Sequence, residues 1–252
     1  MLQKEHVENL TFEDIIKHRR DVYFINEIRN KVALKETGSV VLLLTASVDV
    51  HKEWLGVEIK GWCGSLQSYS IDWRRLEGDT SDLNSPSWRQ LRNIIENEIW
   101  EADDGKKYYI NQTVIDSSYQ SEAVYTFCGE YSDKVNALRC CDMPPKTARM
   151  IQFSQHKKKG TPAYDVTVTL YKGLLAAWLR QDWNAGEFQP MGYPNYPSDY
   201  GDDYFRQYEA EQKKAKINKD GKLLLLELLT FLLIILLLLL LVLFPPEVLP
   251  DR

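Results

Sequence analysis

Cysteine is scarce in this sequence, and none of it falls in a metal or redox spacing. Cys63, Cys128, Cys140 and Cys141 form no CxxC pair. The adjacent Cys140 and Cys141 suit neither an ordinary disulfide nor a shared metal. What remains is the reading of free thiols in a reducing cytoplasm. GxxxxGK[ST] is also missing, so the chain carries no phosphate-cradling loop of its own. There is no internal repeat. The first twenty residues, MLQKEHVENLTFEDIIKHRR, contain no apolar h-region, so no signal peptide is expected. Excess positive charge is lacking too: the formal net charge is −5. That makes no overall case for nucleic acid or anionic membrane as a partner. It does not exclude DNA, because local basic patches can make the contacts while acids hold metal ions.

What is present fits one sizeable domain or two small ones, since 252 residues suffice to bury a proper core. Residues 1–36 carry mixed charge and predict a helical lead-in over Phe12–Arg29, with Phe12, Ile15, Ile16 and Val22 on one face. From Ser39 the pattern changes. Val40–Val50 is apolar and rich in β-branched residues, while Trp54–Trp62 and Gln67–Trp73 alternate. Turns at HKE and CGSL make these three consecutive antiparallel strands. LNSPSW then predicts a helix start, with Ser85 as cap and Pro86 at the first position. The helix over Trp88–Ala102 would bury Leu91, Ile94, Ile95 and Ile99. A fourth strand is expected at Tyr108–Ile115 and a helix at Ser121–Tyr131. Short strands at Val135–Cys140 and Met150–Phe153 follow; Asp165–Thr169 then leads into a helix at Leu170–Arg180, and a last helix is expected at Asp203–Lys216.

Three strands, a helix and a strand form an informative order. A crossover helix after the third strand can return the fourth parallel to the first and beside it. Asp49, inside the apolar LLLTASVDV, and Asp116, from TVIDSSYQ, would then be neighbours. Two such carboxylates repel unless a cation lies between them, and Mg²⁺ or Mn²⁺ prefers these oxygen ligands. A purely structural alternative stays open: Asp49 caps a turn with His51 and Lys52, and Asp116 caps the following helix.

The stretch LTASVDVHKEWLGVEIKGWCGSLQSYSIDW, followed by VIDSSYQSEAVYTFC, closely resembles the nuclease domain of lambda-type phage terminase large subunits, the GpA family. That family shows an LTAGVD-type strand, a long pair ending in GWG, an IDSG-type acid and a VYxFC helix. The resemblance runs from about Val40 to Cys128, and DYFRQYEAEQ is similar to a later YFxQL-like helix. It implies an α/β, RNase H-like mixed sheet flanked by helices, over residues 37–216. It also implies a two-metal (Mg²⁺ or Mn²⁺) endonuclease that cuts concatemeric double-stranded viral DNA in the host cytoplasm. Partners would be the terminase small subunit and the portal. Carried over by position, Asp49 is the first metal-binding, catalytic acid and Asp116 the second. The family's third acid lies in an N-x-x-L-D element that this chain lacks. Asp202, Asp203, Glu209 and Glu211 precede the place where it would stand and read as surface charge. The ATPase motor of full-length members is absent too. A catalytically inactive remnant, kept as a binding or assembly module, is therefore a second reading.

Several features stand outside that frame. His51 either assists the metal site or is a solvated turn histidine. The runs KHRR at 17–20 and HKKK at 156–159 either grip phosphates or are simply solvated. Asp72 could face the site from the third strand. The tryptophans read as core or rim. Residues 217–252 form a leucine-rich tail whose run at 223–244 is long enough to cross a bilayer of about 30 Å. Preceding lysines fit a cytoplasmic N-terminal side. That tail is either a membrane anchor, making a tethered protein a third reading, or a translated frameshift.

Overall fold

Alternation in the strands decides which side chains go to which side of the sheet, and the computed structural model bears it out. It describes residues 10–131, 134–141, 151–155, 162–209, 214–217 and 223–226. In chain order the elements are α1 (Phe12–Ile16), β1 (Arg19–Arg20), α2 (Asn30–Thr37), β2 (Leu43–Val50), β3 (Trp54–Trp62) and β4 (Ser68–Glu77). Then come α3 (Pro86–Asn97), β5 (Trp100–Glu101), β6 (Lys107–Tyr108), β7 (Ile110–Asp116), α4 (Ser121–Gly129) and β8 (Val135–Cys141). The remainder are β9 (Ile151–Gln155), β10 (Pro162–Thr167), α5 (Val168–Leu179), β11 (Pro194–Pro197), α6 (Asp202–Glu209), β12 (Lys214–Ile217) and β13 (Leu223–Leu226).

Nine strands make one mixed sheet in the order β1-β11-β4-β3-β2-β7-β8-β10-β9. β2, β3 and β4 run antiparallel, and β7 returns parallel to β2 after α3, as the strand order implies. This is a mixed α/β architecture of the RNase H-like kind. On one face Val48, Val50, Leu55, Val57 and Ile59 join Trp88, Leu91 and Ile95 of α3 and Phe127 of α4 in the largest core cluster. On the other, Trp62 packs with Ile15 of α1, Leu179 of α5 and Tyr204 and Phe205 of α6. Period-two alternation therefore separates two apolar layers along the same strands. Gly61 in β3 has a packing reason: a Cβ there would lie 2.9 Å from Val41 Cγ1.

Several predicted boundaries move. The single helix expected over Phe12–Arg29 is instead α1, the edge strand β1 and a series of turns, and it is not peripheral. Ile15, Tyr23 and Ile28 are buried, and β1 pairs with β11. The hydrophobic spacing there reflects burial of separate short pieces, so a helical period was the wrong template. α3 stops at Asn97, where Glu98 turns extended, and a β5–β6 hairpin follows. Ile99 consequently points outward at 51% exposure, whereas Leu91, Ile94 and Ile95 are buried as expected. Ser85 occupies the position before the helix, but its hydroxyl pairs with Ser87 Oγ at 2.9 Å and caps nothing. The last helix ends within the described residues at Glu209, and Lys214–Ile217 is a strand paired with Leu223–Leu226. Among the described residues no helix is long and apolar enough to cross a membrane. Residues 227–244 of the leucine run lie outside them, as do Glu211 and the HKKK run.

Candidate active site

Asp49 is the penultimate residue of β2 and Asp116 the last of β7. The parallel register sets Val48 against Ile115, which brings the two acids to adjacent positions at the same end of the sheet. Both point away from the large core cluster. Their neighbours Val48, Val50 and Ile115 belong to that cluster, and Val114, two residues from Asp116, packs with α5 on the opposite side.

The two carboxylates are held differently. Asp49 Oδ2 lies 2.9 Å from His51 Nε2. Asp116 Oδ1 accepts the Ser118 backbone N–H at 2.9 Å and the Ser118 hydroxyl at 2.7 Å. Asp116 thus has one oxygen anchored by Ser118, whereas Asp49 makes a close contact with the imidazole rather than a hydrogen bond. Asp116 is not the cap of α4: that position belongs to Gln120, in the left-handed region at φ 47. The carboxyl of Asp116 is pushed above the usual carboxylate range, chiefly by burial. The Ser118 hydrogen bonds oppose that shift, and the neighbouring charge of Asp49 adds to it. A cation between the pair would relieve both the burial and the repulsion. These are hard oxygen donors of the kind Mg²⁺ and Mn²⁺ take, so the residues present fit such an ion.

Other candidates separate cleanly. Asp72 does not join the pair: Arg74 Nε holds it at 2.5 Å and Arg74 also reaches Glu98 at 2.6 Å, on the α3 side of the sheet. Lys17, Arg19 and Arg20 of the KHRR run are each in an ion pair, with Asp182, Asp202 and Glu36. His18 is fully buried, its Nε2 donating to the Leu179 carbonyl at 2.9 Å. That run is a structural seam. Asp202 is the partner of Arg19, and among the described residues no group of three His, Cys, Asp or Glu could hold a metal. Most tryptophans are core: Trp88 is fully buried and donates to the Thr80 carbonyl, and Trp62 donates to Thr45 Oγ1. Cys63 and Cys128 are buried free thiols, and burial pushes Cys63 up to about 11 and Cys128 up to about 12.

One feature on the Asp49 face escaped the sequence reading. Glu58 and Lys60 of β3 are both buried, with Lys60 Nζ 3.3 Å from Glu58 Oε1. The same oxygen accepts from Ser70 Oγ at 2.8 Å and Tyr204 OH at 2.7 Å. Glu58 sits opposite Ser47, two residues back along β2 from Asp49. All three of these contacts fall on Oε1, and Oε2 is buried without a hydrogen-bond partner among the described residues. The signal was two charges two positions apart within an apolar strand.

A sequence-family model described as terminase large subunit gpA, endonuclease domain, matches residues 4–223. The chain belongs to that family. The terminase nuclease match spans both halves of the site, β2 and β7, and the N-terminal segment that completes the sheet edge. No curated protein and no solved structure matches the chain.

Proposed function

We propose that this terminase endonuclease domain cleaves concatemeric double-stranded viral DNA during genome packaging, with Asp49 and Asp116 holding Mg²⁺ or Mn²⁺. The observation that carries the reading is the adjacency of the two acids at the ends of parallel β2 and β7. Asp49 and Asp116 would hold the ion, which would supply activation of an attacking water and stabilisation of the leaving oxygen of a phosphodiester. The chain's own residues contribute orientation. Ser118 orients the Asp116 carboxylate, and the parallel register sets the spacing of the two acids. The terminase small subunit, the portal and the host cytoplasm are the family's expected setting.

The test is nicking of supercoiled plasmid with Mn²⁺. Asp49→Asn and Asp116→Asn should each lower the rate at least about 100-fold, since each removes a metal ligand, with far-ultraviolet circular dichroism unchanged. Cleavage by both variants at the parent rate would sink the assignment. One observation favours a second reading, an inactive binding or assembly module: no third candidate ligand joins the pair among the described residues. Calorimetric titration with Mn²⁺ separates them. Two sites support the nuclease, and one weak site or none supports the module.

A further inference from the structure

Two neighbouring arginines of β4 go to opposite sides of the sheet. Arg74 lies on the α3 side, against Asp72 and Glu98. Arg75, between Arg74 and the core residue Leu76, projects from the other face, which carries Asp49. The register sets it in the same row as the acids. Asp49 pairs with Gly56, and Gly56 pairs with Arg75. Asp116 continues the row on the far side of Asp49, because Val48 stands against Ile115. The glycine in the middle puts no side chain between the arginine and the acids. Two strand spacings separate the Arg75 and Asp49 backbones by about 10 Å, a gap that a long arginine stem and one phosphate group fill. The guanidinium lies 4.6 Å from the centroid of the Trp54 ring. That ring is itself stacked on His51, with centroids 3.5 Å apart and planes 16° apart. The ionic partner of Arg75 is Glu77, whose Oε1 is 2.6 Å from Nε, with the two side chains 51% and 64% exposed. Among the described residues no acceptor is paired with either Nη. An ion pair so open to water contributes little and is screened by salt.

We infer that Arg75 is a phosphate-binding residue of this face, taking the DNA backbone beside Asp49 and Asp116 through its Nη donors. The inference rests on the nuclease reading above for the identity of the ligand. A planar guanidinium can meet two phosphate oxygens at once, which a point charge cannot. Two carboxylates by themselves repel a polyanion, and a cation one glycine away offsets that field where the backbone must approach. Trp54 keeps the guanidinium over its ring, so less freedom is lost when the phosphate arrives.

Fluorescence anisotropy of a labelled DNA duplex on the full chain tests this, with EDTA present and potassium chloride varied. The parent, Arg75→Ala and Arg75→Lys are compared. Arg75→Ala should lower the slope of log affinity against log salt by about 0.9, the loss of one phosphate contact. Arg75→Lys keeps the charge and should hold the parent slope, with weaker binding at every salt concentration because the two-pronged contact is gone. A parent slope in Arg75→Ala would overturn the inference while leaving the metal-dependent reading intact. So would the same loss of slope in Arg75→Lys, because the charge would then not be the cause. If Asp49→Asn nicks plasmid at the parent rate while Arg75→Ala loses the slope, the metal assignment fails and the phosphate contact stands. No measurable duplex binding by the parent would overturn both.

Discussion

Single residues in this domain gain their character from what is withheld from water. Asp116 is costly to ionise where it sits, and the stretch TVIDSSYQ gives little hint of why. Its burial comes from strands that meet it only in the folded sheet. Asp49 was legible earlier, because a lone acid within an apolar strand is conspicuous, and topology then supplied its neighbour. His51 was visible as a residue but not as part of a stack, since nothing in HKEW announces a ring lying on Trp54. His18 shows the opposite error, a basic-looking run that is interior. Burial holds the His18 imidazole down at about 4, below its ordinary 6.5. The unfolded chain therefore binds more protons than the folded one between those values, and stability falls as pH drops from 6.5 to 4. Relative to His18→Gln, the parent should lose about 3 kcal/mol more across that window, from 1.36 kcal/mol per pKa unit. Urea unfolding at pH 7.0, 5.5 and 4.0 checks it, and equal losses in both proteins would refute the buried neutral ring.

Elements carry information that residue lists do not. The three antiparallel strands, the crossover α3 and parallel β7 were readable from alternation and turn chemistry, and that order alone brings the acids together. Helix ends were less readable. The apolar Ile99 and Trp100 continue the spacing of α3, but Glu98 is extended and the chain turns into a hairpin instead. The Phe12–Arg29 segment misled for a related reason: its apolar residues are divided between two clusters, Ile15 in one and Tyr23 and Ile28 in the other, which a periodicity cannot register. β3 shows how an element can hold charge inside. Removing one member of the Glu58–Lys60 pair leaves the other buried without a counter-charge. Lys60→Met should cost about 3–5 kcal/mol in urea unfolding, whereas combining it with Glu58→Leu should restore most of that loss. A double variant no more stable than the single one would mean that Ser70 and Tyr204, not Lys60, stabilise the carboxylate.

For the whole molecule, charge placement argues against the obvious surface for DNA. Lys17, Arg19 and Arg20 are used internally, binding the N-terminal segment to α6, α2 and the loop before β11. Replacing Lys17 and Arg19 together by alanine should leave the slope of log affinity for duplex DNA against log salt unchanged. A genuine phosphate contact would lower that slope by about 0.9. Fluorescence anisotropy across a potassium chloride series reads the difference directly. The same seam has a consequence for synthesis. Arg20 meets Asn195 across 175 positions of sequence, and β1 can pair only once β11 exists. As the chain leaves the ribosome, Ile15 must wait, uncovered, until β11 and α6 have been made. Closing so long a loop is slow compared with local pairing. During that interval this segment stands open to a chaperone or to aggregation.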